Sequence, residues 1–410
     1  MNEKLKVLIA TSAGHFSNDW ASYIIPMILP VLILSYDLSI SEGAVIATTY
    51  ALMTAFFALY IGKLIDRGYN IGILISTGLA FIGISFVMIA IFLMFIHGIS
   101  LFVLLVISVA IGGTGASFYH PLGASLIQRT FEKRKVGSAL GINGSMGSLG
   151  RAVAPVLFVT ISVFIIFPYA VMLNGVIPAI AIAIILSLVC NKKMFKDKDN
   201  VGATENIKKG MNIKTKDKES SIIFIVLVIT ALRSVTTSGF ATFIPTYLVK
   251  SRNITYGFTL SILIFGMLGA AIIGQPVFGK LMDAFDYRKI FALNTLGIVI
   301  TMLVFTLTYN IYVIFISLFF YGFFTFAAFP ILFGIIPNIS DSSRSRGSSN
   351  SLLWFGISIG GSVGPLALAL LDNKLVLKNM TNSFIALALI TAVSFILILI
   401  YWNKFPAINK

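Results

Sequence analysis

Twelve stretches of about twenty mainly apolar residues follow one another along this 410-residue chain, and they leave little room for any other kind of fold. Their cores run over 7–34, 43–62, 71–95, 99–128, 137–158, 164–190, 221–248, 257–280, 289–308, 311–337, 348–371 and 382–402. A helix needs about 20 such residues to cross the hydrocarbon core of a bilayer. The runs are rich in Leu, Ile, Phe and Gly and lack the period-two alternation of membrane barrel strands. Composition agrees: 58% of residues are apolar and 11% charged, against roughly 25% charged in a soluble domain. The expectation is an all-α membrane protein with twelve transmembrane helices. The first run leads into Gly14, His15, Phe16, Ser17, Asn18 and Asp19 rather than a small-residue cleavage site, so it is expected to remain as span one.

An even number of crossings puts both termini on one side, and the basic residues choose the side. With the N-terminus in the cytoplasm, 24 of the 30 Lys and Arg fall in cytoplasmic segments and four in outside loops (Lys250, Arg252, Lys374 and Lys378). Arg151 and Arg233 fall inside spans. The net charge of +15 is thereby a topology signal, and no nucleic-acid partner is expected. The implied location is the inner (plasma) membrane, multi-pass, with both ends cytoplasmic. Residues 191–220 form the one long polar segment. They divide the chain into an N-terminal six-helix bundle, 1–190, and a C-terminal one, 221–410, joined by a cytoplasmic linker.

The halves look like copies. Gly62-Lys63-Leu64-Ile65-Asp66 after span two matches Gly279-Lys280-Leu281-Met282-Asp283 after span eight, 217 residues later. Gly137-Ser138 precedes Pro155 by the same distance as Gly347-Ser348 precedes Pro365, an offset of 210 that also aligns Gly150 with Gly360. Two signatures at equivalent helices argue for a duplicated unit, so two pseudo-symmetric six-helix bundles are expected.

Gly62-Lys63-Leu64-Ile65-Asp66-Arg67-Gly68 resembles the loop signature of the major facilitator superfamily, G-x-L-a-D-r-x-G-r-k, departing from it at Tyr69 and Asn70. Span five, ending in Ala154-Pro155, resembles that superfamily's glycine-rich antiporter pattern, with Arg151 where a small residue is common. The resemblance implies two bundles that rock about a central site. More narrowly, the Gly14–Asp19 run, Phe118-Tyr119-His120-Pro121-Leu122-Gly123 and the Gly147-to-Pro155 segment are similar to the fosmidomycin-resistance group, which implies a drug exporter exchanging substrate for protons.

Ionisable groups at membrane depth are costly and point to function. Asp19 is the one carboxylate clearly inside a span. His15 lies one helical turn before it, on the same face. Asp19, His15 and His120 are the proton-coupling candidates. Arg151 is the expected partner of Asp19, its alternative role being a permanent pair that only fixes packing. Arg151 and Arg233 together suit an anionic substrate. Tyr23, Phe118, Tyr119, Phe240, Tyr247 and Trp354 are candidate substrate contacts. Gly62, Asp66, Arg67, Gly68 and Asp283, the last with Arg288, are candidates for a cytoplasmic latch. Gly150 and Pro155 are candidates for movement at the span-five seam, where Gly137, Gly141, Gly144 and Ser148 form a small-residue stripe. Aligning Pro26 with Pro245 maps His15 to Ser234 and Asp19 to Ser238. Aligning Pro121 with Pro330 maps His120 to Phe329, and the offset of 210 maps Arg151 to Gly361. Coupling chemistry is therefore expected in the first bundle.

No clustered nucleophile or paired acids suggest an enzyme, and no G-x-x-x-x-G-K-[ST] loop suggests direct ATP use. One cysteine and three histidines offer little for a metal, so no metal or cofactor is expected beyond the proton gradient. The expectation is a proton-coupled secondary transporter working by alternating access as a monomer in the lipid bilayer. It would export a small anionic or amphiphilic compound in exchange for protons. The alternative is a symporter importing an organic anion or phosphorylated metabolite.

Overall fold

The computed structural model of the chain describes residues 1–66, 69–131, 133–189, 217–327, 331, 343–372 and 379–405. Among these residues the regular structure is helical. The helices are α1 (Glu3–Ser35), α2 (Ile40–Asp66), α3 (Ile71–Phe95), α4 (Gly98–Ala116), α5 (Tyr119–Thr130), α6 (Lys133–Phe164), α7 (Phe167–Leu173) and α8 (Val176–Val189). After residues outside the description come α9 (Asp217–Arg252), α10 (Phe258–Ala284), α11 (Tyr287–Leu307), α12 (Ile311–Phe326), α13 (Ser343–Asp372) and α14 (Met380–Ile400). Among the described residues ten stretches are long and apolar enough to cross a membrane, and two shorter apolar ones, Ile311–Phe326 and Ile357–Asp372, fall where spans ten and eleven were expected. The twelve expected spans thus each have a helical counterpart.

Local sequence explains the helix starts. Ser39 and Glu42 form a capping box: Glu42 Oε2 accepts from Ser39 N at 2.7 Å, and Ser39 Oγ accepts from Glu42 N at 3.1 Å. Asn70, Asp286, Asn310 and Asn379 each accept from a backbone N–H of the first turn. The fourth and sixth spans are each interrupted. Between α4 and α5 the chain turns at Ser117 and Phe118, and Pro121 follows in the first turn of α5, where its missing N–H is no loss. Between α7 and α8 it turns at Asn174 and Gly175. Broken spans are tolerated where the freed polar groups find partners inside the protein. Ser117 Oγ donates to Thr114 O at 2.6 Å, and Asn174 Nδ2 to Ala170 O at 2.8 Å.

The chain divides into two compact units, Met1–Val201 with Leu248–Phe265, and Gly202–Tyr247 with Gly266–Lys410. In the sequence reading 248–265 belong to the C-terminal bundle; here they group with the first unit. Most of the 191–220 segment lies outside the described residues, as do Arg67 and Gly68. The surroundings of Gly62, Asp66, Asp283 and Trp354 are also outside the description, although all four are helical positions.

In the first unit α1 is enclosed by α6, α8 and α5, and 18 of its 33 residues are buried. Its contact with α6 is backbone to backbone: a Cβ on Gly150 would strike the carbonyl of Phe16, and one on Gly147 would strike the ring of His15. Gly141 and Gly144 have nothing within 4 Å of such a Cβ, so within the first unit the tight contact lies at Gly147 and Gly150, alongside the stripe of Gly137, Gly141, Gly144 and Ser148. Pro155 is buried inside α6, one turn beyond Arg151.

The second unit repeats this seam. A Cβ on Gly364 would meet Val235 O at 2.5 Å, and one on Gly361 would meet Ser234 Oγ at 3.2 Å. Ser238 Oγ donates to Gly361 O and Ser234 Oγ to Ile357 O, both at 2.6 Å. With Pro26 aligned on Pro245, these contacts pair with those of the first unit when Asn143, Gly147 and Gly150 correspond to Ile357, Gly361 and Gly364, an offset of 214. With the offset of 210, Gly360 against Ala231 O pairs with Gly150 against Phe16 O, and α1 is offset by 215. The Pro26 alignment and the offset of 210 thus differ by one helical turn: the first gives Arg151 the counterpart Pro365, the second Gly361. The alignment of Pro121 with Pro330 and the loop offset of 217 agree with the contacts, since Gly113 abuts Tyr50 O as Gly322 abuts Met267 O.

Candidate functional site

Asp19 sits in the middle of α1 and is 5% exposed. Three elements converge on its carboxylate. From α1 itself, His15 Nε2 is 3.4 Å from Oδ2, as the spacing of one helical turn requires. From α5, His120 Nε2 is 3.6 Å from Oδ1. From α6, Arg151 Nε is 3.4 Å from Oδ2, while its Nη2 donates to Ser148 Oγ at 2.9 Å. The structure therefore brings together four of the residues singled out in the sequence, all from the first unit.

The break between α4 and α5 does the positioning on one side. It presents Tyr119 and His120 at the start of a helix, directly after the turn. The His120 side chain is 51% exposed, that of His15 13%. The rings of His15 and His120 meet edge to face at 5.3 Å between centroids, and His15 lies 4.9 Å from Tyr119. Tyr119 and Phe118 are buried, Phe118 against Phe81. Tyr23 lies one turn beyond Asp19 on α1 and is half-buried.

Several residues of the cluster were not anticipated. Asn143 Oδ1 lies 2.9 Å from His15 Nδ1, and its Nδ2 donates to Tyr119 OH at 2.8 Å. Tyr119 OH donates to Thr11 O at 2.7 Å. Asn18 Nδ2 lies 3.3 Å from Asp19 Oδ1 and 3.4 Å from His120 Nε2. A signal was present: Asn143, Gly147 and Arg151 recur every fourth residue, and so share a face of α6 with one polar group, a gap and a charge.

Ligand atoms of His15, Asp19 and His120 lie within 4.8 Å of one another, a spacing that a divalent ion could bridge. Arg151 already shares that carboxylate and would repel a second cation. The arrangement suits a proton better than a metal.

The second-unit candidates are used otherwise. Arg233 is 4% exposed; Nη1 donates to Thr295 Oγ1 at 2.9 Å, Nη2 to Asn294 Oδ1 at 2.7 Å, and the guanidinium lies 5.3 Å from the centroid of Phe291. Phe240 and Tyr247 are fully buried in an aromatic core with Phe305, Tyr321 and Phe384. This corrects the expectation of a substrate wall: these rings pack on one another and present no face to a ligand. Arg288, expected to pair with Asp283, pairs with Asp286 at 2.6 Å. That hydrogen bond holds the Asp286 carboxyl below its ordinary range. An apolar cleft of about 340 Å³ between α11 and α12, lined by Ile300, Val304 and Phe320 among others, contains no ionisable group.

Comparison with known proteins gives the cluster its setting. The sequence profile of the Major Facilitator Superfamily matches residues 11–273 and again 226–408. No curated protein sequence matches significantly. Among solved structures, the chain is similar to a bacterial homologue of the human lysosomal transporter Spinster, with 14% identity, a TM-score of 0.75 and 97% of each chain covered. It is similar to the peptide transporter POT in complex with sulfate, with 15% identity, a TM-score of 0.74, and 98% of this chain and 95% of that one covered. It is also similar to the nucleoside transporter NupG, with 12% identity, a TM-score of 0.74 and 99% of each chain covered. At such identities the likeness is one of fold, whereas the profile spans nearly the whole sequence. A duplicated helical chain with this profile belongs to the Major Facilitator Superfamily, and it is a membrane transporter rather than an enzyme.

Proposed function

We propose that the protein is a proton-coupled secondary transporter of a small anionic or amphiphilic compound, working by alternating access. The observation that carries this reading is Asp19, a buried carboxylate inside a span, shared by two histidines and an arginine. Charged groups at membrane depth are retained mainly where they do work. Asp19 and its histidines can take up a proton, and Arg151 supplies the fixed positive charge. The resemblance of the Gly14–Asp19 and Phe118–Gly123 runs to drug exporters favours export in exchange for protons. The pair itself favours a second reading. Protonation of Asp19 frees Arg151 for an anion, so proton and anion would bind together and travel together.

The experiment has two stages. A thermal-shift screen of the purified protein against phosphonates including fosmidomycin, sugar phosphates, carboxylates, neutral sugars and lipophilic cations finds a ligand, because binding to the folded state raises the melting temperature. Proteoliposomes with an internal pH dye then read the proton. Uptake that alkalinises the lumen means exchange; uptake that acidifies it means co-transport. Asp19→Asn should abolish proton-driven accumulation in either case while leaving exchange of labelled for unlabelled ligand intact. Accumulation by Asp19→Asn against a proton gradient would overturn the assignment.

A further inference from the structure

We propose that the proton exchanged at this cluster is carried on Nε2 of His15, and that Asn143 and Tyr119 are the positioning residues that put it there. The inference rests on the reading of the Asp19 cluster as the coupling site. It starts at a carbonyl. The oxygen of Thr11 can only accept, and Tyr119 OH lies 2.7 Å from it, so the hydroxyl hydrogen is committed there. The Tyr119 oxygen must then accept from Asn143, whose Nδ2 is 2.8 Å away. That turns Asn143 Oδ1 toward His15 Nδ1, at 2.9 Å. An amide oxygen only accepts, so Nδ1 carries a hydrogen whether the ring is neutral or charged. Nε2 is left as the ring atom that gains and loses a proton.

Nε2 faces Asp19 Oδ2 at 3.4 Å. Without a proton, this is a nitrogen lone pair opposed to a carboxylate oxygen. With one, it is an N–H donor to an anion, which is a charge-assisted hydrogen bond. The fixed tautomer thus makes the contact between His15 and Asp19 change sign with a single proton. A histidine free to choose its tautomer would donate from Nε2 while still neutral, and the contact would report nothing.

His120 lacks this property. Asn18 Nδ2 lies 3.4 Å from its Nε2 and can donate there while giving its other hydrogen to Asp19 Oδ1, 3.3 Å away. His120 Nε2 therefore has a donor without being protonated, and its ring is half exposed. Among the described residues the remaining titratable groups near Asp19 are Arg151 on α6, a permanent cation 3.4 Å from Oδ2, Tyr23 on α1, and Tyr50 on α2, whose hydroxyl lies 3.5 Å from Ser22 Oγ.

The chain has three histidines, so ¹⁵N-histidine labelling of the full-length protein gives an assignable spectrum, with His15→Gln identifying the His15 signals. Long-range ¹H–¹⁵N correlations distinguish the tautomers of neutral His15. The wild type should show Nδ1–H. Asn143→Leu and Tyr119→Phe each remove the lock and should switch neutral His15 to Nε2–H. Asn143→Asp keeps an acceptor at Nδ1 and should retain the wild-type pattern. In proteoliposomes Asn143→Leu should lose proton-driven accumulation by about tenfold or more, one pK unit of coupling being a factor of ten, and Asn143→Asp should recover much of it. A wild-type His15 with Nε2–H when neutral, or one unmoved by both unlocking substitutions, would overturn the proposal. So would full accumulation by His15→Gln where Asp19→Asn is dead; the coupling reading at Asp19 would then stand without His15. Accumulation by both variants would bring down that underlying reading.

Discussion

At the scale of single residues, glycine decides how closely α1 and α6 approach, and with it whether Arg151 and Asn143 reach Asp19 and His15. The carbonyl of Phe16 fills the space where a Cβ on Gly150 would sit, and a backbone atom cannot rotate away. Gly150→Ala should therefore push the helices apart. The strain of overpacking, about 1–3 kcal/mol, outweighs the roughly 1 kcal/mol that Ala gains over Gly in helix propensity. Gly141→Ala is the matched control, because nothing lies within 4 Å of its added Cβ and only the propensity gain remains. Thermal melts in detergent should show Gly150→Ala several degrees below wild type and Gly141→Ala level with it or above. Equal melting of the two variants would mean that the seam is not where these contacts place it.

At the scale of elements, the broken sixth span depends on one buried pair. Trp20 Nε1 on α1 donates to Asn174 Oδ1 at 2.8 Å, at the turn between α7 and α8. Both residues are 4% exposed. Asn174→Ala leaves the indole N–H without a partner, and Trp20→Phe leaves the amide oxygen without one, each at about 1–3 kcal/mol. The double variant should cost less than the sum of the singles by about 1 kcal/mol, since neither orphan survives in it. Additive losses in denaturation midpoints would show the bond to be incidental.

The elements themselves were readable from hydropathy, since each apolar run of about twenty residues became a helix. The interruptions were not, because Ser117 and Asn174 sit inside runs whose apolar average hides a single polar residue. The site was half readable. A charge inside an apolar span stands out by itself, which exposes Asp19, His15, His120 and Arg151. Asn143 and Asn18 are neutral, and their roles depend on which residue from another helix lies opposite. The repeat shows the same limit. Matching Gly-Ser and Pro landmarks found the related helices, but the landmarks of α1 and α6 disagree by one turn, and α13 carries a glycine against a backbone carbonyl in either register, at Gly360 and at Gly364.

At the scale of the whole molecule, the duplication turns orientation into a double test. Parallel repeats place equivalent loops of the two halves on the same side of the membrane. His97 follows the third helix of the first half, and Tyr309, which is 79% exposed, follows the third helix of the second. The excess of Lys and Arg, 24 in one set of segments against four in the other, predicts both positions outside and the 191–220 segment in the cytoplasm. With Cys190 replaced by Ala to remove the native thiol, His97→Cys and Tyr309→Cys should react with an impermeant maleimide in intact cells. Glu205→Cys should react only after permeabilisation. Reversal of all three would invert the molecule and leave the repeat intact. Opposite behaviour of His97→Cys and Tyr309→Cys would break the repeat, and with it the argument that the neutral Ser234 and Ser238 stand where the first half keeps His15 and Asp19. The proposed proton chemistry sits in one half on that ground, so the labelling of two loops bears on the proposed coupling site as directly as a substitution within it.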